Sequence, residues 1–466
     1  MPYATIFTHL FWLFRLRYLR LPESSTTPDP SRLNPEAPTR LELRRRKKRE
    51  GWRAIIRNCT QPGVARQWTI LCFSVTGTLI VVLFVLLFVV IPEGEFISKR
   101  SGLTFGSKLV ESDELTPATN VSTWLGGYSR TVIPRACHSH NDYMRKIPLF
   151  TALAAGCTGV EADVWLSDDG KDLLIGHNRN SLKSTKTLNS MYIEPLLEIL
   201  NGQNPTWAAN SAYDRARGIF ATQPSTTVVL MIDVKEKPTT VWPLLVQQLE
   251  PLRQRRFLMR YEEVSSGDFV DRQKLWLAPL IIVGSGQLSL TSLLGTYPNN
   301  TFEQYHDTFL DAPLQILSDV NRSWRGSAST YPLLSWGRAL YRPDNSYYSS
   351  VSFKQTIGSV MLGFSASQLK TLRTQIRTAR ESGLVSRYWD TPSWPINYLD
   401  YIWEVVTREG VGMLNVGDVT AATRGLWTKG YLKSVYLIIG SSFYLAIVSI
   451  VIWVVGLNIL RRGLDT

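Results

Sequence analysis

The chain is poor in the residues that build disulfide frameworks and zinc clusters. It has four cysteines and five histidines among 466 residues. Cys59 and Cys72 lie in or beside an apolar run near the amino terminus, which leaves Cys137 and Cys157 for the middle of the chain. This distribution predicts no disulfide framework, and we expect both remaining cysteines to be small buried apolar side chains. No glycine-rich loop of the dinucleotide-binding or P-loop type is present, which excludes those nucleotide-binding classes.

Charge is also scarce and is unevenly distributed. Charged residues make up 19% of the chain and apolar residues 44%, so the chain can bury a sizeable core. Of the net charge of +13, +9 lies before Trp68. Residues 92–433 carry 35 basic and 32 acidic residues, so we expect no nucleic-acid partner. Residues 1–67 are predicted to be a basic, largely disordered cytoplasmic tail that can contact anionic lipid heads.

Two long runs contain no charged residue. The first, residues 68–91, is long enough at 1.5 Å per residue to cross a hydrocarbon core of about 30 Å. The second, residues 434–460, is closed by Arg461 and Arg462, and its alternative interpretation is a last core helix of the preceding domain. We predict two transmembrane helices.

The basic flank before the first run predicts the topology. It places the amino terminus and the short tail 461–466 in the cytoplasm and the middle region outside it. Three glycosylation sequons would then be accessible, at Asn120, Asn299 and Asn321. A secretory or vacuolar membrane is favoured. A mitochondrial membrane is the alternative, because residues 1–21 contain no acidic residue.

The middle region, residues 92–433, alternates short apolar runs with helical patterns over a core of about 131–419. Predicted helices include residues 149–155, 241–252 and 367–381. Predicted strands are residues 131–137, 160–166, 173–176, 226–233, 280–283, 308–310, 385–389 and 412–416. This alternation is typical of a parallel α/β fold, and it favours a TIM (β/α)8-type barrel over an open sheet.

Polar side chains collect at the carboxyl ends of the first four predicted strands, where such barrels place their active sites. These side chains are His138, His140, Asn141, Glu161, Asp163, His177, Asp233 and Lys235. Glu161 and Asp163 are two residues apart, so they share one face of a strand. Buried carboxylates are costly unless a cation or a hydrogen-bond network neutralises them. Carboxylate oxygens are hard metal ligands, so the sequence predicts a Mg²⁺ or Ca²⁺ site formed by Glu161, Asp163 and Asp233.

The same residues predict a division of chemical roles. Lys235 would add a positive contact to a phosphate group held by the metal. His138 would act as general base and His177 as general acid, or the two roles would be reversed. His140 would bind substrate or orient His138, and Asn141 would hydrogen-bond a ligand.

The motifs carry a family resemblance. Four motifs occur in the order HSHNDY, VEADVWL, LLIGH and MIDVK. This order resembles the PLC-like phosphodiesterase superfamily of TIM barrels, which includes glycerophosphodiester phosphodiesterases and sphingomyelinase D-like enzymes. With TLNSMYIEPLLEIL, FLDAPL and RYWDTPSWP, the chain is similar to the fungal altered inheritance of mitochondria protein 6 family over residues 133–419. The resemblance implies metal-dependent hydrolysis of a glycerophosphodiester or phospholipid-type substrate. It matches Glu161, Asp163 and Asp233 to the metal ligands and His138 and His177 to the acid/base pair.

Departures from the superfamily pattern leave the substrate headgroup open. Glycerophosphodiesterases carry His-Arg-Gly where this chain has His138-Ser139-His140, and His-Asp where it has His177-Asn178. Two alternative functions follow. One is a catalytically idle, membrane-tethered barrel that acts as a binding or scaffold protein. The other is a metal-dependent amidohydrolase built on His138 and His140, for which His177 and His306 are the remaining histidines of this region.

Overall fold

The computed structural model describes residues 47, 50, 74–83, 119–207, 215–266, 269–290, 292–293, 302, 305–317, 341–424, 427 and 429–462. The chain divides into two units, one of Thr78–Tyr444 and one of Met1–Gly77 with Leu445–Thr466. The predicted tail, most of the run 68–91 and the sequons at Asn299 and Asn321 lie outside the described residues. The domain limits drawn from the sequence therefore stay predictions.

The larger unit contains a nearly closed barrel of eight parallel strands. The described residues form eleven strands in all: β1 (Arg135–Ser139), β2 (Cys157–Leu166), β3 (Leu173–Ile175), β4 (Val228–Val234), β5 (Arg260–Ser266), β6 (Phe269–Trp276), β7 (Leu280–Gly286), β8 (Thr308–Pro313), β9 (Ser346–Ser352), β10 (Val385–Trp389) and β11 (Leu414–Val416). The sheet order is β10-β9-β8-β7-β4-β2-β1-β11, and a parallel bridge from Arg387 to Met413 joins its two edges. Strands β5 and β6 form a separate antiparallel hairpin. The predicted TIM-like barrel is confirmed.

Most helices lie between barrel strands, one precedes β1, and two follow β11. Their bounds are Val121–Leu125, Phe150–Ala155, Glu194–Gln203, Pro238–Gln248, Glu250–Gln254, Phe353–Thr356, Ala366–Glu381, Ile396–Arg408, Val419–Arg424 and Tyr431–Arg462. The predicted helices 149–155 and 367–381 are confirmed. The predicted helix 241–252 is two helices, because Pro251 has no N–H with which to continue the first.

One predicted strand is present but lies outside the barrel, and one barrel strand was not predicted. The third predicted strand, 173–176, is β3, which pairs antiparallel with β2 and lies outside the barrel. The connection from β2 is a tight turn at residues 167–172, too short for the helical crossover that a parallel strand requires. Barrel strand β9, with the sequence SYYSSVS, was not predicted because serine and tyrosine give no aliphatic run.

Side chains alternate between the barrel interior and the outer helical layer. On β4, Leu230 and Ile232 belong to the large outer core, whereas Val229 and Met231 belong to a smaller inner cluster. The next residue in the inner series is Asp233, at the carboxyl end of the strand. The period of two therefore directs this carboxylate into the barrel interior, above an apolar floor.

The prediction for the two middle cysteines was wrong: Cys137 and Cys157 form a disulfide. Both are buried, and their Cα atoms are 4.7 Å apart. The crossover through helix Phe150–Ala155 returns the chain beside β1, where Arg135 is in register with Cys157. Twenty residues of separation thus become a contact between neighbouring strands.

Among the described residues, one helix is long and apolar enough to span a membrane, the segment Tyr431–Val455. Of the first predicted span, the structure describes a short apolar helix, Ser74–Leu83. Within the smaller unit, the hydroxyls of Thr76 and Ser449 are hydrogen-bonded. Two transmembrane helices therefore stay a prediction, with the second of them present as a continuous helix.

Candidate metal and catalytic site

Three carboxylates converge at the carboxyl end of the barrel. Glu161 and Asp163 lie on β2, and Asp163 is in register with Asp233 on the neighbouring β4. One oxygen from each of the three carboxylates lies within 4.8 Å of the other two. Glu161 and Asp163 are buried, and Asp233 is partly buried. The predicted cluster is present in the structure.

The donor set fits a divalent cation. Glu161 Oε2 and Asp163 Oδ1 are buried and accept no hydrogen bond within the part of the chain that the structure describes. Burial raises the pKa of Asp163 and of Asp233 above the ordinary value, and the negative charges of the neighbouring carboxylates add to the shift. Buried oxygens without donors are costly, and a hard cation is the ligand that would satisfy them.

Lys235 is the nearest positive charge to this cluster. Its Nζ lies 3.1 Å from Asp163 Oδ2 and 3.1 Å from Asp233 Oδ1. Burial lowers the pKa of Lys235, but the charges of Asp233 and Asp163 outweigh that effect and raise it. Lys235 is therefore an ammonium shared by two carboxylates, and its predicted contact with a phosphate stays a prediction.

Tyr143 links the loop after β1 to the cluster. Its hydroxyl donates a 2.7 Å hydrogen bond to Asp163 Oδ2 and lies 3.2 Å from His177 Nδ1 and 3.0 Å from Asn141 Oδ1. His177 Nδ1 is 3.7 Å from Asp163 Oδ2, and the side chain is 59% exposed. The structure thus brings His177 and Asn141 to the site through a tyrosine that sequence analysis missed.

His138 is buried inside the barrel. Its Nε2 lies 3.5 Å from Glu161 Oε2, and its Nδ1 lies 3.3 Å from the hydroxyl of Tyr348. Burial lowers the pKa of His138 to about 4, although the contact with Glu161 opposes the shift. A Cβ on Gly159 would lie 2.6 Å from His138 Nδ1, so the absence of a side chain there makes room for the imidazole. His138 is consequently a neutral imidazole near pH 7.

Glu161 faces three basic side chains. Besides His138, His140 Nε2 is 4.0 Å and Arg387 Nη1 is 3.9 Å from Glu161 Oε2. Burial opposes ionisation of Glu161, but the contact with His138 and the charge of Arg387 outweigh it and lower its pKa below the ordinary value. Glu161 is therefore ionised at neutral pH. His140, in the turn directly after β1, has a side chain that is 38% exposed, so it is more accessible than the buried His138.

Arg387 is the second important residue that sequence analysis missed. It lies on β10, buried in the barrel, and donates hydrogen bonds to Ser350 Oγ, Asn415 Oδ1 and Asp311 Oδ2. Its guanidinium is 3.1 Å from Asp311. The signal in the sequence was a single arginine at an inward position of a predicted strand, but its partners lie 28 to 76 residues away.

A cavity of about 470 Å³ adjoins the site. It opens between the loop after β10, helix Ile396–Arg408 and the end of β11. Residues that line it include His140, Asp390, Asp400, Trp403, Asn415 and Asp418. His140 and Asn415 therefore border both this cavity and the residues around Glu161.

All eight residues predicted for the site lie at the carboxyl end of the barrel. His306, by contrast, precedes β8 at the amino end, where its carbonyl accepts a hydrogen bond from the backbone of Tyr261. A parallel barrel with a buried acidic cluster at this end has the architecture in which TIM barrels place active sites. The fold and the site together define a TIM-type barrel with a candidate metal site at its carboxyl end.

Comparisons with known proteins agree with this class. A model of the AIM6-like phosphodiesterase domain matches residues 127–311. The altered inheritance of mitochondria protein 6 homolog of Arthroderma benhamiae is 33% identical over 313 residues, which cover 65% of this chain and 85% of that protein. The altered inheritance of mitochondria protein 6 of Eremothecium gossypii is 30% identical over 62% of this chain and 68% of its own length, and that of Saccharomyces cerevisiae is 30% identical over 65% and 74%. The chain belongs to the altered inheritance of mitochondria protein 6 family, as the motifs predicted.

Proposed function

We propose that the protein is a membrane-anchored, metal-dependent phosphodiesterase that hydrolyses a glycerophosphodiester or phospholipid-type substrate. The observation that carries the proposal is the cluster of Glu161, Asp163 and Asp233 in a barrel of the phosphodiesterase-like family. Buried oxygens of this cluster accept no hydrogen bond from the described residues. The apolar segment Tyr431–Val455 supports the membrane anchor. The disulfide supports an extracytoplasmic barrel, because disulfides persist in oxidising compartments.

Mg²⁺ or Ca²⁺ bound by the three carboxylates would supply neutralisation of charge at a phosphate oxygen. Lys235 is 28% exposed and so can donate a hydrogen bond to a second phosphate oxygen from beside the cluster. Arg387 holds Glu161 in its ionised form from inside the barrel. These residues prepare an electropositive position for a phosphate at an otherwise acidic site.

His138 and His177 are the proposed proton carriers, and they lie beside different carboxylates of the cluster, Glu161 and Asp163. The lowered pKa of His138 leaves it neutral, which is the protonation state of a general base. His177 is exposed, and Tyr143 and Asp163 orient its Nδ1, so its other ring nitrogen is available to protonate a leaving alkoxide. The reverse assignment exchanges these roles. His140 and Asn141 would contact the substrate.

A specific observation favours a second function, a barrel that binds ligands without catalysis. The ammonium of Lys235 lies between Asp163 and Asp233 and partly neutralises the cluster by itself. A barrel that has lost its metal would be stabilised by this arrangement. The amidohydrolase alternative has no comparable support, because His306 lies at the opposite end of the barrel.

The test is turnover by the full-length protein in detergent or nanodiscs. Glycerophosphodiesters, lysophospholipids and sphingophospholipids are offered with and without EDTA, followed by added Mg²⁺ or Ca²⁺. We expect hydrolysis of at least one class, its loss in EDTA and its return with the cation. Absence of turnover in every class, with cation binding also absent, would support the non-catalytic barrel.

Histidine variants test the roles within that assay. His138→Asn and His177→Asn should each lower kcat by roughly 10²- to 10⁴-fold. His306→Asn is the matched control and should keep wild-type activity. His140→Asn separates proton transfer from binding: a substrate-contacting role predicts a higher KM with a smaller change in kcat.

A further inference from the structure

The apolar helix begins against the barrel. Tyr431, Val435 and Ile438 are buried, and their spacing of four and three residues places them on one face of the helix. The rings of Tyr398 and Tyr401, on helix Ile396–Arg408, lie 5.4 and 5.3 Å from the ring of Tyr431. The first two turns of the apolar helix are therefore part of the packed barrel unit.

A loop between β9 and helix Ala366–Glu381 is held beside these two turns. The hydroxyl of Tyr431 donates a 3.0 Å hydrogen bond to the carbonyl of Met361, and that of Tyr436 donates a 3.1 Å hydrogen bond to the carbonyl of Leu362. A Cβ on Gly363 would lie 3.5 Å from the side chain of Leu432. Met361 and Leu362 are thus fixed at the level of residues 431–436.

Both side chains are exposed although they are large and apolar. Met361 is 45% exposed and Leu362 is 64% exposed. We call this pair the 361–362 surface. Its neighbours on the apolar helix, Tyr436 and Leu437, are also exposed. The apolar patch is therefore continuous from the loop onto the helix.

The length of the helix places this patch relative to a bilayer. The 25 residues of Tyr431–Val455 span about 37 Å, which exceeds the hydrocarbon core of about 30 Å. The first turns of the segment would then lie in the headgroup region. Lys429 and Lys433 are exposed at this end, and lysine and tyrosine are typical anchors of a helix at the interface.

We propose that Met361 and Leu362 insert into the interfacial layer of the bilayer that the apolar helix spans, so that the barrel rests on the membrane surface. This inference rests on the membrane anchor of the proposed function. It adds a second membrane contact, which fixes the orientation of the barrel. Helix Ile396–Arg408 lies between the 361–362 surface and the cavity: Tyr398 and Tyr401 accept hydrogen bonds from the backbone of Val360 and Phe364. Leu399 and Trp403 of the same helix line the cavity.

Spin labels on the full-length protein test the inference. In a Cys59→Ser, Cys72→Ser background, which keeps the disulfide, a single label is introduced at Leu362→Cys, Leu277→Cys or Ile447→Cys. Leu277 is the matched control, a leucine 49% exposed that precedes β7 at the amino end of the barrel. Ile447 reports on the apolar helix itself. The proteins are reconstituted into phosphatidylcholine vesicles, and collision rates with oxygen and with a water-soluble nickel chelate are measured.

We expect the label at Leu362 to collide preferentially with oxygen, as the label at Ile447 does, and the label at Leu277 to collide preferentially with nickel. A label at Met361→Cys should repeat the result for Leu362. If the label at Leu362 is as accessible to nickel as the label at Leu277 while the label at Ile447 is in lipid, Met361 and Leu362 do not insert into the bilayer, although the helix spans it. If the label at Ile447 is also accessible to nickel, both the membrane-spanning helix and the insertion of Met361 and Leu362 are contradicted.

Discussion

The hydroxyl of Tyr143 donates a 2.7 Å hydrogen bond to Oδ2 of Asp163. Tyr143 belongs to the turn that follows β1, and Asp163 lies near the end of β2, so this bond joins two elements of the site. It also places the same hydroxyl beside His177. An outer partner of this kind fixes the orientation of a ligating carboxylate.

Removal of the Tyr143 hydroxyl should lower cation affinity or turnover without unfolding the barrel. We expect Tyr143→Phe to lower divalent-cation affinity or kcat by roughly 10- to 100-fold, the usual effect of losing an outer-shell partner. Calorimetry and turnover measure the two quantities. Tyr388→Phe is the control, because its buried hydroxyl bonds Gln375 on the outer side of β10. That variant should lose about 1 kcal/mol of stability and keep the affinity.

Gly159 makes room for His138, so a methyl group there should displace the imidazole. The added Cβ of Gly159→Ala would lie 2.6 Å from His138 Nδ1 and 3.0 Å from the Tyr348 hydroxyl. We expect a stability loss of about 1–3 kcal/mol, as for other overpacked interiors, together with a loss of turnover. Gly440→Ala is the control, because its Cβ meets no atom within 4 Å. Wild-type turnover in Gly159→Ala would show that the position of His138 is not critical.

Arg387 should be the most costly inward polar residue to remove. Arg387→Met leaves the largely buried carboxylate of Asp311, 11% exposed, without its ion-pair partner, and we expect a loss of about 3 kcal/mol in the free energy of unfolding. Denaturant unfolding of the purified protein measures it. The double variant Arg387→Met with Asp311→Leu should recover much of the loss, since it removes the unpaired charge. Equal instability of the single and double variants would contradict this explanation.

The disulfide can be detected directly. Proteolysis under non-reducing conditions should release peptides that contain Cys137 and Cys157 as one linked species, which reduction separates. Free thiols at both positions in freshly purified protein would contradict the structure. Replacement of both by serine should cost about 3 kcal/mol, the value expected for closing a loop of this size.

The sequence predicted the barrel because seven of its eight strands overlap predicted strands, for example β4 and β7 with the apolar runs 226–233 and 280–283. It predicted Glu161 and Asp163 as inward residues because strand periodicity is local. Asp233 followed from the same rule on β4. For these residues, the local pattern and the barrel topology agree.

The remaining features depend on contacts that no local pattern contains. β9 is built from serine and tyrosine, and burial in the sheet makes it a strand. The residues of β3 are apolar, as they would be in a parallel barrel strand, so composition could not reveal the antiparallel pairing with β2. The Cys137–Cys157 bond and the Arg387–Asp311 pair both require knowledge of which strands are neighbours. Residues that are far apart in the sequence leave no local pattern from which such contacts could be predicted.

Divalent-cation binding tests the central claim most directly. Calorimetric titration of the full-length protein with Mg²⁺ and Ca²⁺ is compared for the wild type, Asp163→Asn and the exposed control Asp168→Asn. We predict one bound cation in the wild type and in Asp168→Asn. In Asp163→Asn, affinity and phosphodiester turnover should fall together, because the variant loses a charged oxygen ligand with little change in volume. Unchanged cation binding in Asp163→Asn, or turnover that persists in the wild type after complete chelation, would contradict the metal-dependent mechanism.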